Sequence, residues 1–292
     1  MCSSARLSSL LAAFVSLPLA TGFSAEREVV KDVVYGRAGD EELKLDYARP
    51  RGDGAHPGVL CIHGGGWSGG SRQSLQFLVE RLADSGYVAA TVSYRFAPKQ
   101  LFPAQIEDVK AALRWMRANA ARLGLDPARI GVVGGSAGGH LALLAGFAEE
   151  EDGLEGAANP GVSSRVQAVV NLYGPTDLLS GIWADQGDRT LRTFLGGSLA
   201  EKRELYRKAS PVVYLTRDDP PVLTFHGTAD PLVPFAHAEI LHKALAKLGI
   251  ENRLVVMVGH AHGWGGAAMD DTVTTTIAFF DRHLKARRID RL

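Results

Sequence analysis

Ser136 stands in Gly134-Gly135-Ser136-Ala137-Gly138, after the apolar run Ile130 to Val133 and before the helix-forming stretch Ala137 to Ala148. In that setting the chain must reverse so tightly that bulky neighbours two residues either side of the serine would collide, and the glycines at 134 and 138 remove the offending Cβ atoms. A serine hydroxyl becomes a useful nucleophile only when a neutral imidazole takes its proton. The imidazole in turn needs a carboxylate to fix its tautomer and stabilise its charged form. Both follow downstream: Asp230 in His226-Gly227-Thr228-Ala229-Asp230-Pro231, and two histidines in Gly259-His260-Ala261-His262-Gly263-Trp264. Spacing alone leaves His260 and His262 open as the base. Asp177 is a rival acid, with the alternative reading of a helix cap in Asp177-Leu178-Leu179.

Upstream, His63-Gly64-Gly65-Gly66-Trp67 follows the apolar run ending at Ile62. A glycine run there lets bare N–H groups face a developing oxyanion, and the first N–H of the helix after Ser136 adds another donor. The oxyanion hole is therefore assigned to Gly65, Gly66 and Ala137, with His63 as a brace for the loop. Trp67 and Trp264 flank the site and are candidate contacts for an acyl or sugar group, or equally loop anchors. His260-x-His262 has metal-ligand spacing, but no His/Cys/Asp/Glu cluster supplies further ligands, so neither metal nor cofactor is expected.

These loops need strands to hold them. Val59 to Ile62, Val88 to Val92, Ile130 to Val133, Val166 to Leu172 and Val222 to Phe225 are nearly continuous apolar runs, as in parallel strands covered on both faces. Leu43, Leu45 and Tyr47 alternate with polar residues, which predicts an antiparallel strand near the start of the sheet. Helical spacing recurs at Ile106, Val109, Leu113, Met116 and Ala120, at Ile240 to Leu248, and at Val273, Ile277, Phe280 and Leu284. Alternation of this kind predicts an α/β fold with a mostly parallel sheet, helices on both faces, and a site at the carboxyl ends of the strands. The stretch 174–214 is long enough to form a small cap, and its apolar residues read equally as core. Glu149 to Ser164 reads as a solvated surface loop.

Lys plus Arg and Asp plus Glu number 32 each among 292 residues, so no net field draws the chain to nucleic acid. One domain over residues 26–292 is the simplest reading. Residues 1–25 combine a short basic start, an apolar run and small residues, the pattern of a secretory signal peptide. Export to the periplasm or beyond follows, with no integral membrane segment in the mature chain if the leader is cleaved, and with an N-terminal anchor if it is retained. Cys2 would leave with the leader, and Cys61, inside an apolar run, reads as a buried inert thiol.

Tyr94-Arg95, Phe102-Pro103-Ala104, Asp108, Leu125-Asp126-Pro127, Arg129-Ile130, the block Gly134 to Leu141 and the block His226 to Pro234 together resemble the bacterial α/β-hydrolase esterases related to hormone-sensitive lipase. The chain is most similar to their secreted group, which includes xylan acetyl and feruloyl esterases. The resemblance covers roughly Asp46 to Leu284. It implies an α/β-hydrolase fold with a sheet of about eight strands. It also implies a serine carboxylesterase acting on short or aromatic acyl esters of small molecules or carbohydrates. Members usually carry His-Gly-Phe at the base, so His262-Gly263-Trp264 aligns His262 with it, and Ser136, Asp230 and His262 become the expected triad. An Asp-Lys pair common after the oxyanion loop is replaced by Gly70-Ser71-Arg72. Arg95 and Asp108 are expected to form a structural ion pair. Two alternatives share the scaffold: a prolyl-oligopeptidase-like serine peptidase, and a non-catalytic binding protein of the gibberellin-receptor kind.

Overall fold

Eight strands form one sheet in the order β1-β2-β4-β3-β5-β6-β7-β8. They are β1 (Arg27–Ala38), β2 (Glu41–Pro50), β3 (His56–Ile62), β4 (Val88–Val92), β5 (Leu125–Gly135), β6 (Ala168–Leu172), β7 (Val222–Gly227) and β8 (Asn252–Met257). The structure, a computed structural model, describes residues 27–52, 54–183 and 185–285. The leader expected over residues 1–25 lies outside them. From β4 across to β8 every pairing is parallel, while β2 runs antiparallel to both β1 and β4. The fold is that of an α/β-hydrolase.

Successive residues along a strand face opposite sides of a sheet, and this chain packs a separate core on each side. On one side Leu60, Ile62, Val132 and Val169 meet α2 (Ala104–Ala118), α4 (Ala137–Phe147) and α7 (Ala236–Leu248). On the other, Val59, Cys61, Val133 and Val170 meet α1 (Gln76–Asp84) and α8 (Ala267–Leu284). A short α3 (Ala120–Leu123) leads into β5. Nearly every residue of α4 is buried, which suits a helix that is apolar all round and lies at the centre of the molecule.

The stretch between β6 and β7 holds α5 (Asp185–Leu195), α6 (Leu199–Lys208) and a 3-10 turn (Pro211–Tyr214). Helix α5 is two-sided: Leu191, Phe194 and Leu195 enter the core, while Gln186, Gly187 and Thr190 line a cavity above the sheet.

Two sequence expectations need correction. The loop 149–164 is not merely solvated, because Glu155 pairs with Lys110 and Arg114, whose side chains are 0% and 3% exposed. Lys110 Nζ also donates to Ala148 O at 2.6 Å. A lysine and an arginine can stay charged at such depth only when both are partnered, so the acidic residue follows from α2 rather than from solvent. No helix begins at Asp177. Its carboxylate accepts from Leu179 N at 2.9 Å, closing an Asx turn.

Candidate active site

Ser136 has φ 56 and ψ −123, a conformation that side-chain-bearing residues rarely adopt. The surroundings impose it. A Cβ on Gly134 would lie 2.2 Å from Gly138 O, and one on Gly138 would lie 2.0 Å from Ile62 O, both backbone atoms that cannot yield. Strand β5 and helix α4 thus meet with no room to spare, and Ser136 N is pinned to Leu172 O at 2.9 Å. The side chain is left at the edge of the cavity.

Asp230, His262 and Ser136 form one hydrogen-bonded line. His262 Nδ1 is 2.7 Å from Asp230 Oδ2, and His262 Nε2 is 2.8 Å from Ser136 Oγ. An ionised carboxylate only accepts, so Nδ1 carries the proton and Nε2 offers its lone pair to the serine hydroxyl. Burial alone would raise the Asp230 carboxyl, but hydrogen bonds from His226, His262 and the Val233 N–H outweigh it and hold the group well below the usual carboxylate range. Its other oxygen accepts from Leu232 N and Val233 N, each at 2.9 Å.

The loops carrying acid and base are packed backbone against backbone. A Cβ on Gly227 would lie 2.2 Å from His260 O, and Ala229 N donates to that same carbonyl at 3.0 Å. His260 therefore contributes main chain here, while its ring turns to Trp264 with centroids 5.9 Å apart. Of the two histidines, only His262 meets Asp230 and Ser136.

The glycine loop leans on the elbow from the other side: a Cβ on Gly64 would lie 3.2 Å from Ser136 Cβ and 2.9 Å from Gly135 O. Gly65 (φ 120), Gly66 (φ 58) and Trp67 (φ 57) bend it through the left-handed region. Among the described residues, the N–H groups of Gly65 and Gly66 donate to no protein acceptor. Ala137, the first residue of α4, has no intrahelical acceptor for its own N–H. Such N–H groups can receive a developing negative charge, and the positive end of α4 adds to the effect.

His63 stacks on Tyr94 with centroids 4.4 Å apart, and its Nδ1 donates to Gly64 O at 2.7 Å. Burial lowers its basicity, as suits a neutral bracket. Trp67 is 2% exposed and stacks on Phe194 at 4.2 Å, so only part of its surface reaches the cavity. Trp264 does not line that cavity, and its indole N–H donates to Thr272 Oγ1 at 2.8 Å. Arg95 clasps Asp108 with both Nε and a terminal nitrogen, fastening the chain after β4 to α2.

Two neighbours complete the site, the first of them not singled out from the sequence. Tyr173, with φ 44, sets its ring edge-on to His262 at 4.9 Å and to Trp264 at 5.2 Å. Only its place at the end of a strand in Asn171-Leu172-Tyr173 marks it. His226, fully buried, donates from Nε2 to Val233 O at 2.8 Å, and the same nitrogen lies 3.4 Å from Asp230 Oδ2.

A cavity of about 620 Å³ opens over Ser136 and His262, and among the described residues no Asp, Glu, Lys or Arg lines it. That volume suits a small organic ligand. The site can therefore accept a neutral carbonyl compound, deliver a serine oxygen to it and neutralise the resulting oxyanion.

The BD-FAE family model matches residues 45–245. Esterase LipQ of Mycobacterium tuberculosis is 33% identical over 79% of this chain and 56% of its own length. The chain spans about half the length of the first three curated relatives it matches. Among solved structures, a truncated carbohydrate esterase from gut microbiota superposes with a TM-score of 0.76 at 26% identity, covering 88% of this chain and 98% of that one. Thermogutta terrifontis esterase 2 phosphonylated by sarin gives a TM-score of 0.77 at 29% identity, covering 90% and 98%.

Proposed function

The chain belongs to the BD-FAE family, and from that premise we propose that it is a serine carboxylesterase in which Ser136, His262 and Asp230 form the triad. The observation that carries this is the unbroken line of hydrogen bonds, 2.8 Å from serine to imidazole and 2.7 Å from imidazole to carboxylate. Ser136 Oγ attacks the ester carbonyl carbon as its proton passes to His262 Nε2, and the carbonyl oxygen takes the negative charge opposite the N–H groups of Gly65, Gly66 and Ala137. Collapse expels the alcohol, protonated by His262, and leaves an acyl-serine. Water, activated by the same imidazole, then releases the acid. Asp230 stays ionised throughout, which agrees with a pKa held well below the usual carboxylate range.

Substrates are short or aromatic acyl esters, with acetyl or feruloyl groups on plant polysaccharide fragments as the natural targets. The likeness to a carbohydrate esterase supports a sugar-borne ester, and the uncharged cavity supports a neutral one. Residues 1–25 act as an export signal, so the enzyme works in the periplasm or outside the cell. Residues 26–292 form its single domain, with 174–214 as a small cap.

A serine-directed phosphonate should modify Ser136, and Ser136→Ala should lower ester turnover by about 10³-fold or more. Phenyl and sugar acetates, feruloyl esters and prolyl peptides should be compared on the same preparation. Unmodified Ser136 with undiminished turnover in the alanine variant refutes the triad, and preferential cleavage of peptides favours a peptidase.

A further inference from the structure

Ser136 lines a cavity whose wall is drawn from both sides of the sheet. Trp67 and Trp183, on the α4 side of the sheet, line one half, while Leu75, Leu78, Val133, Met269 and Val273, on the α1 and α8 side, line the other. We propose that the half between α1 and α8 is a subsite for an extended apolar substituent of the ester, longer than acetyl, whose usable length is set by Val133, Val273 and Thr276. The proposal rests on the esterase reading and narrows it: of the two acyl groups named there, feruloyl is long enough to use this half and acetyl is not.

Two independent measures give the depth. Helix α8 starts at the rim of the sheet and returns downward, and Met269 to Thr276 spans about 10 Å at roughly 1.5 Å per residue. Val133 lies three residues before Ser136 on β5, again about 10 Å at roughly 3.3 Å per residue. An acetyl group would leave most of this half empty. The lining here is mostly apolar: Leu75, Leu78, Val133, Met269 and Val273 outnumber the hydroxyls of Ser74, Thr272 and Thr276, and Thr272 Oγ1 already donates to Ala268 O at 2.7 Å and accepts from Trp264. On the opposite half Gln186 and Thr190 of α5, with Ser68, offer polar atoms to the rest of the substrate. The ester therefore lies across Ser136, apolar end toward α8.

The test uses two ester series on the full-length protein, p-nitrophenyl esters from acetate to decanoate and acetates of alcohols of rising length. In one series kcat/KM should climb, by up to about fourfold per buried methylene, then break where the chain meets the floor. Which series climbs identifies the side of the ester that enters. Thr276→Phe should move the break two or three carbons shorter, and Thr276→Ala should move it longer. Thermal unfolding verifies that each variant is folded, and Val273→Leu replaces Thr276→Phe if the latter is not. Absence of a climb in both series, or a break that no variant moves, overturns the subsite while leaving the triad intact. If no ester is turned over and the phosphonate leaves Ser136 unmodified, the esterase reading fails and the subsite with it.

Discussion

The indole N–H of Trp67 donates to Nδ1 of His140 at 3.2 Å, joining the glycine loop to the helix that begins just after Ser136. His140 Nε2 in turn donates to Ala209 O at 2.7 Å, so the imidazole is held neutral with its acceptor nitrogen toward the loop. One side chain thereby fixes where the N–H groups of Gly65 and Gly66 stand relative to the nucleophile.

Trp67→Phe keeps the stacking on Phe194 but removes this bond. The expected result is a fall in kcat of about 10-fold, with KM little changed, because misplaced oxyanion donors are felt chiefly in the transition state. Steady-state kinetics on a phenyl ester checks the split.

Asp230→Asn should lower kcat by about 10⁴-fold, since an amide no longer dictates that Nδ1 holds the proton. Stability responds as well. The carboxyl is depressed in the folded state, so its contribution is present above the ordinary aspartate range and is lost as pH falls through the folded value. Urea unfolding below pH 4 should consequently be less pH-dependent in the asparagine variant.

Gly138→Ala and Gly39→Ala make a matched pair. The first places a methyl 2.0 Å from Ile62 O and should cost about 3 kcal/mol or more along with activity, whereas the second meets nothing within 4 Å. Gly39 has φ 59, so its cost is confined to backbone strain of about 1 kcal/mol, with activity retained. Chemical denaturation and turnover, measured together, separate the two.

Buried imidazoles give the protein an acid sensitivity. Burial lowers His140 to about 4 and His237 to about 3, against an ordinary histidine value of 6.5. The unfolded chain takes up these protons below about pH 6.5 while the folded chain refuses them, so stability is full above that pH and declines beneath it. Between pH 7 and pH 5 each should contribute a loss of about 2 kcal/mol. His140→Gln should remove about one such increment from the pH dependence of urea unfolding.

The strands and the nucleophile turn could be read from the sequence because continuous apolar runs and steric demands for glycine are local. Strand β1 could not. Irregularities between Val30 and Val33 and between Val34 and Gly36 break its period of two, and Val29 and Val34 are exposed. Tyr173 carries no motif, since its position beside His262 depends on β6 lying next to β7. The meeting of Asp230 with His262 rather than His260 is set by main-chain contact at Gly227, which spacing along the chain does not encode. Helix α5 looked ambiguous between core and cap because it serves the core on one face and the cavity on the other.

The clamp of Glu155 on Lys110 and Arg114 has a bearing on how this scaffold tolerates remodelling. A segment that resembles a disposable surface excursion supplies, among the described residues, the one carboxylate paired with two buried cations of α2, so shortening or grafting there would leave both without a counter-ion. Designers seeking a permissive insertion point would do better at the β1–β2 hairpin, where Gly39 projects into open space.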